Sequence, residues 1–282
     1  MPGSITNISY EAFGYCAALT SITIPATVNT IEADAFYGSG LTNVNFAPGV
    51  AVISSGSFYG CTNLMTVSVS SSVTNFSNQA FFGCPNLAAI AVDPQNPFYS
   101  SSSNGVVFDK AQATLIEYPA ALPGSYTVPG TVTNIAANAF YQCVGLTSVT
   151  IPGGVVTIGG SAFDGCSNLA SITLGNGVGS IGSAAFAGCG GLSNITLPAS
   201  ITNVGSSAFA DCAALTSVFF LGNAPTADST LLSDDTNATI YYFPGTSGWE
   251  SFSTNTGLPV VLWNPAIQPA EFSFSGVNNQ FS

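Results

Sequence analysis

Few residues in this chain are equipped for chemistry, and their types and spacing limit what they can do. Histidine and arginine are absent, and thirteen acids face a single base, Lys110. Without histidine, the Ser–His–Asp and Cys–His arrangements of nucleophilic catalysis cannot be assembled, nor can the common histidine metal sites. Acid–base work would fall to carboxylates, and glycoside hydrolysis needs two of them facing each other across a cleft. Asp234 and Asp235 are adjacent and would diverge on a strand, while Asp34, Asp164 and Asp211 stand at unequal offsets from the motif described below. No ladder of acids spaced like a calcium loop occurs. Gly153-Gly154 and Gly190-Gly191 are turn glycines, not phosphate loops. The expectation is a protein that is not an enzyme and holds no cofactor and no metal.

The seven cysteines are the other reactive group. An odd count leaves at least one outside any intramolecular disulfide. Cys143, Cys166, Cys189 and Cys212 recur at one position in consecutive units. Stacked there, about 5 Å apart with parallel Cβ vectors, they would not easily meet the dihedral demand of a disulfide. The register favours a ladder of free thiols, each acting as a small buried hydrophobe.

The element that positions these residues is a repeat. Ala-Phe-x-x-Cys-x-x-Leu recurs with Phe at 13, 36, 58, 81, 140, 163, 186 and 209. Most intervals are 23 residues, one is 22, and one is 59, a repeat of 23 plus an insertion of 36. In one unit, Leu169, Ile172 and Leu174 alternate as the inward side chains of a short strand do. Pro25, Pro48, Pro152 and Pro198 each end such a strand, where a residue without an N–H stops pairing. Val-x-x-Ile, as in Val178 to Ile181, makes a second side, and the Phe corner makes the third. Stacking these units sets parallel strands about 4.8 Å apart. The fold class is a β-rich solenoid of leucine-rich repeats of about 23 residues, with a short parallel sheet, little helix and one inserted β-hairpin.

Strand, proline, Val-x-x-Ile and Ala-Phe-x-x-Cys recurring in register over roughly residues 5–221 resemble the BspA-like leucine-rich repeats of bacterial surface proteins, found also in some protists. The resemblance implies a curved right-handed solenoid with a role in adhesion or ligand binding, and it supplies no catalytic residues. Ser39 departs from the pattern, standing where cysteine is expected, and one residue is lost before Phe58, which predicts a bulge there.

Domain limits follow from the period: a solenoid over 1–221, closing strands over 222–265, and a strand-like tail over 266–282. The insertion, about residues 93–126, predicts a peripheral hairpin with strands at 105–109 and 114–119 around Lys110. Its Phe98, Tyr99, Phe108 and Tyr118 either pack it onto the solenoid or form an aromatic contact surface. After Leu221, residues 238–245 and 259–265 predict two more strands separated by a loop around Trp249.

Composition narrows the partners. Only 5% of residues are charged and 46% are hydrophobic, which argues for a folded chain. No apolar run reaches the ~18 residues of a membrane span. With one base, neither nucleic acid nor anionic lipid is an expected partner. The first residues lack a secretory signal, and the expected location is extracellular or at the cell surface. The outward strand positions are small and uncharged: Ser21, Thr23, Asn43, Asn45, Thr66, Ser68, Ser148, Thr150, Ser171, Thr173, Asn194 and Thr196, then Phe219. That face is either inert solvated surface, a protein- or glycan-binding surface, or a template for ordering water. The alternative to a recognition module is a structural protomer that self-associates end to end into filaments through Ile5 and Ile8 at one end and Phe272 and Phe274 at the other. With no histidine, nothing titrates near its ordinary pKa between about pH 5 and 8 except the α-amino group and any perturbed thiols, so stability is expected to be nearly flat there.

One outcome follows from Lys110 alone. Trypsin should nick the chain once, and residues 1–110 and 111–282 should still co-elute as a folded unit in gel filtration.

Overall fold

The computed structural model describes residues 4–235 and 237–263. They form a β-solenoid of about 11 turns. The first side of each turn is a strand such as Ser171–Leu174, whose residues alternate exposed and buried. It pairs in parallel with the turn before, Ser148 on Ser171, Val149 on Ile172 and Thr150 on Thr173. The second side is a two-residue strand, and these too stack in register, Thr157 on Ser180 and Ser180 on Asn203. Valine and isoleucine at the inward positions suit both sides, because branched side chains pack well on a pleated surface.

The third side is the aromatic corner. Phe140, Phe163, Phe186 and Phe209 are fully buried, and their rings stack at 4.5, 5.2 and 5.6 Å. The backbone beneath them is bonded from turn to turn: the Phe163 amide donates to the Ala185 carbonyl at 2.7 Å, and that of Phe186 to Ala208 at 2.8 Å. Left-handed residues flank each ring, Ser161 and Gly165 around Phe163, and Ala184 and Gly188 around Phe186. They bend the chain sharply enough to turn the corner in five residues. The cysteines are free thiols, Cys16 exposed and the other six buried. Each buried thiol in this half also donates to the aromatic carbonyl of the turn before, Cys166 to Phe140 at 3.0 Å and Cys189 to Phe163 at 3.2 Å.

Ser39 fills the thiol position in the short repeat, its hydroxyl 3.3 Å from the Cys61 sulfur. The predicted bulge does not form. The missing residue is absorbed at Gly40, which passes so close to the turn below that a Cβ there would lie 2.0 Å from the Ala17 carbonyl oxygen. The corner rings on either side of the deletion, Phe36 and Phe58, remain stacked at 5.0 Å.

The insertion differs most from expectation. It is not peripheral. Tyr99–Ser101, Val107–Asp109 and Thr114–Glu117 form an antiparallel meander, and the last of these strands pairs in parallel with Asn134–Ile135. It thereby splits the apolar interior in two. Val107 belongs to the core of the N-terminal turns, and Val106, Phe108 and Leu115 to that of the C-terminal turns. Asn96 anchors the entry to this segment. It is fully buried, donates to the Ser70 and Val73 carbonyls, and accepts from the Phe98 and Tyr99 amides. All of its hydrogen-bonding capacity is met without water. Lys110 lies in the exposed turn between the last two strands.

At the C-terminal side, Thr239–Tyr242 and Val260–Leu262 continue the parallel sheet as predicted. Between them the expected loop is a helix, Trp249–Thr256, flanked by left-handed Gly248 and Gly257. Its Trp249 and Phe252 are buried against Phe220. The tail 266–282 lies outside the described residues.

The stacked corner should dominate stability. Phe163→Ala is expected to cost about 3–5 kcal/mol, the usual range for truncating a buried phenylalanine. Phe98→Ala, at a half-exposed ring, should stay within about 0.5 kcal/mol. Urea unfolding monitored by circular dichroism measures both.

Candidate functional site

The outward row of the first side is where recognition would occur. Thr150, Ser171, Thr173 and Asn194 are exposed, and Ser148 and Thr196 are partly so. Parallel register places Ser148 beside Ser171 and Thr150 beside Thr173. In the N-terminal half, Asn43, Asn45, Thr66 and Ser68 are all exposed, with Asn43 beside Thr66 and Asn45 beside Ser68. The Thr66 hydroxyl donates to the Asn43 side-chain oxygen at 2.5 Å. Ser21 and Thr23 are exposed one turn further out, where no regular strand forms.

The structure does not join these into one surface. Strands Asn43–Asn45, Thr66–Val69 and Ala89–Val92 form one sheet, and the next begins only at Gly124–Thr127. The insertion fills the space between. Its Gly105, with a φ of +82°, comes so close to Ala89–Ile90 that a Cβ would meet the Ile90 nitrogen at 2.6 Å. The face is therefore divided, and a further break separates the sheet of Gly124–Thr127, Leu146–Ile151 and Ser171–Leu174 from the one that begins at Asn194–Leu197.

Three of the aromatic candidates are buried and do not serve as contacts. Phe219 is 3% exposed, stacked on Tyr241 at 5.1 Å and met edge-on by Trp263. Covering the ring removes it from water, which the alternation pattern alone could not foresee. Phe108 belongs to the core for the same reason. Tyr118 takes the corner position of its turn, its ring 4.8 Å from that of Phe140 and its amide bonded to the Ala139 carbonyl. Phe98 is half-exposed, and the partly buried Tyr99 is tied down, its hydroxyl donating to the Thr74 carbonyl. Of the end residues, Ile8 is in the core and Ile5 is packed against it. Phe272 and Phe274 lie outside the described residues.

Sequence reasoning missed two features. Tyr15, Tyr37 and Tyr59 line up outside the corner with ring spacings of 4.9 and 5.1 Å. The aromatic residue next to each corner phenylalanine at 36 and 58 was the available signal. The second feature is Glu117, which stands where other turns carry Ala or Ser before the aromatic ring. It is 8% exposed, and its Oε2 has no hydrogen-bond partner. Burial holds its carboxyl well above the usual carboxylate range. Burial also raises Asp235, though less completely. Among the described residues, no three His, Cys, Asp or Glu side chains are grouped to hold a metal ion. No helix there is long and apolar enough to cross a membrane.

Glu117 argues against flat stability between about pH 5 and 8. Its folded-state pKa is raised, so its contribution is complete below the unfolded value, near pH 4.5, and is lost as pH rises toward the folded value. Glu32 and Asp228 shift the opposite way through hydrogen bonds, but they are exposed, and their effect falls at more acidic pH. Wild type should lose stability relative to Glu117→Gln as pH rises from about 5 to 8, by up to about 1.4 kcal/mol per unit. Melting temperatures of the two proteins across that range test the sign. Parallel curves would show that Glu117 is not protonated in the fold.

No curated protein matches the chain in sequence. Solved structures do match its fold. The pneumococcal vaccine antigen PcpA aligns with a TM-score of 0.73 at 20% identity, over 93% of this chain and 78% of that one. A leucine rich cell surface protein from Faecalibacterium prausnitzii aligns at 0.66 and 25% identity, over 91% and 82%. A leucine-rich repeat protein from Eubacterium ventriosum aligns at 0.62 and 25% identity, over 86% and 65%. The BspA type leucine rich repeat region matches in six copies over residues 1–105 and 125–255, leaving out much of the insertion that divides the core. With the turn, the corner and the thiol position all recurring in those copies, the chain belongs to the BspA type leucine rich repeat family.

Proposed function

We propose that this chain is a non-enzymatic recognition module, extracellular or on a cell surface, that binds a protein or glycan ligand through the polar patch of its C-terminal turns. The observation that carries this reading is the registered row of Ser148, Thr150, Ser171 and Thr173, outward-facing on paired parallel strands. Hydroxyl groups held about 4.8 Å apart on a rigid sheet form an array of donors and acceptors. Little ordering entropy is lost when such a surface binds, because the backbone is already fixed. The absence of cations disfavours anionic partners and leaves hydrogen bonding as the main language of the surface. The description of the Faecalibacterium prausnitzii relative as a cell surface protein supports the location.

The test is a glycan array and a panel of candidate extracellular proteins, probed with wild type and with Thr150→Arg/Thr173→Arg. Both positions are exposed, so the pair should change stability by no more than about 1 kcal/mol. Binding should weaken at least about tenfold, since two long charged side chains block the row and leave ligand groups unpaired. Thr133→Arg, exposed on the second side, is the control and should bind as wild type does. A ligand held equally by the double variant would move the site elsewhere.

A further inference from the structure

The corner ladder is interrupted once among the described residues. Phe58 donates its amide to Ala80, and Tyr118 to Ala139, but no such bond joins Phe81 to Glu117. The left-handed residue that precedes the other corners is also missing here, at Gln79 and at Ile116. The outer rim closes over the gap instead. Phe82 stacks on Tyr141 at 4.1 Å, and the Asn78 amide donates to the Ala137 carbonyl. Beneath this bridge lies a cavity of about 320 Å³ lined by Phe81, Phe82, Cys84, Glu117, Tyr141 and Gln142, among others.

A carboxyl in such a place needs an explanation. Packing alone would be served by the alanine found in the same position of most turns. A buried acceptor without a partner is costly, and folded proteins seldom retain one. The one lysine of the chain is engaged elsewhere, donating to the Pro94 carbonyl. We propose that this seam cavity binds an alkylammonium group, with Glu117 as its carboxylate partner and the Phe82–Tyr141 pair as an aromatic wall. The group would be either a free aliphatic amine or the end of a lysine side chain. This site is separate from the polar sheet face and does not depend on that reading.

Four features fit that ligand. The unpartnered Oε2 offers an acceptor to an ammonium N–H. Phe82 and Tyr141 both line the cavity, and an ammonium held over either ring would be attracted by it. A net charge of −12 draws cations toward the surface. A cavity of about 320 Å³ leaves room for a short alkyl stem against Phe81, Leu87 and Ala120.

The proton balance is simple. The amine arrives as an ammonium ion, Glu117 releases its proton to solvent, and the complex is an ion pair. Other titratable groups nearby do not blur this exchange. The Cys84 thiol is pushed up by its hydrogen bond with Cys61 and by burial, and the Cys143 thiol by burial and its hydrogen bond with Cys166. Burial raises the Tyr118 phenol to about 12 and also raises that of Tyr141. Asp164, near Tyr141, is also raised by burial.

Calorimetric titration of the full chain with n-pentylamine, with Nα-acetyl-lysine methylamide and with neutral n-pentanol tests the proposal. At least one amine should saturate at one site per chain, at least about tenfold more tightly than pentanol. Affinity should rise between about pH 6 and 8, by up to about tenfold per unit, with proton release seen as a heat that depends on the buffer. Tight binding of pentylamine alone points to a free amine, and tight binding of the lysine derivative points to a protein side chain. Glu117→Gln should lose at least about tenfold in affinity and all of the buffer dependence. No saturable amine binding, equal binding of pentanol, or binding by wild type without proton release would each overturn the proposal. So would a Glu117→Gln protein that binds amine as wild type does. Should that variant fail to fold, the alcohol comparison and the proton release, both measured on wild type, still decide.

Discussion

The solenoid depends on one backbone hydrogen bond made again at the described corners, with a single break at Phe81. The amide of the aromatic residue must find the carbonyl one residue before the aromatic residue of the next turn, as Phe163 finds that of Ala185. Outside the insertion, that single requirement sets the rise between turns and closes each circuit of the chain after 22 or 23 residues. It also dictates the chemistry around it. The residue before the ring must be small, because the next turn passes over it. At the regular corners residues on both sides enter the left-handed region, which is strained for Ser161 and Ala184 and easy for Gly165 and Gly188. The thiol three residues on then satisfies the carbonyl of the aromatic residue below, so the cysteine ladder is part of the corner's hydrogen bonding as well as of its packing.

Much of this was legible because the period is long and strict. Phe at fixed intervals located the corner, alternation located the sheet face, and the common position of the cysteines argued against disulfides. The thiols' donor role was not legible, since a sequence shows where a cysteine stands but not which carbonyl it meets. The central place of the insertion was hidden for a related reason. Val106, Val107, Phe108 and Leu115 read as a hairpin, and nothing local says that neighbouring residues on one strand will face two different cores. Asn96 looked like one more turn residue, yet it holds four buried backbone groups. Around Trp249 the helix was missed because eight residues give too few turns for a helical period to show.

For the site, the polar row was legible as far as alternation holds. It failed at Phe219, where Trp263 from a later strand covers a position that should have been open. Glu117 was present in the sequence as a corner residue of the wrong kind, but its turn has no cysteine and no phenylalanine, so the repeat pattern did not mark it as a corner at all. Tyr118 fills the ring position and Ala121 the thiol position. Only the bond from Tyr118 to Ala139 reveals that this degenerate segment is a turn of the same stack.

The thiols also number the turns. In a stack where each unit touches only its neighbours, opening proceeds from the ends inward as well as through global unfolding. Cys16 is already in solvent, while Cys61, Cys84, Cys143, Cys166, Cys189 and Cys212 are sealed one to a turn. Fraying from the C-terminal side must uncover Cys212 before Cys189, and Cys189 before Cys166. Cys84 and Cys143 bracket the seam between the two cores. The order in which these sulfurs become reachable to an alkylating reagent is therefore a map of local stability along the axis, built into the chain by its own repeat.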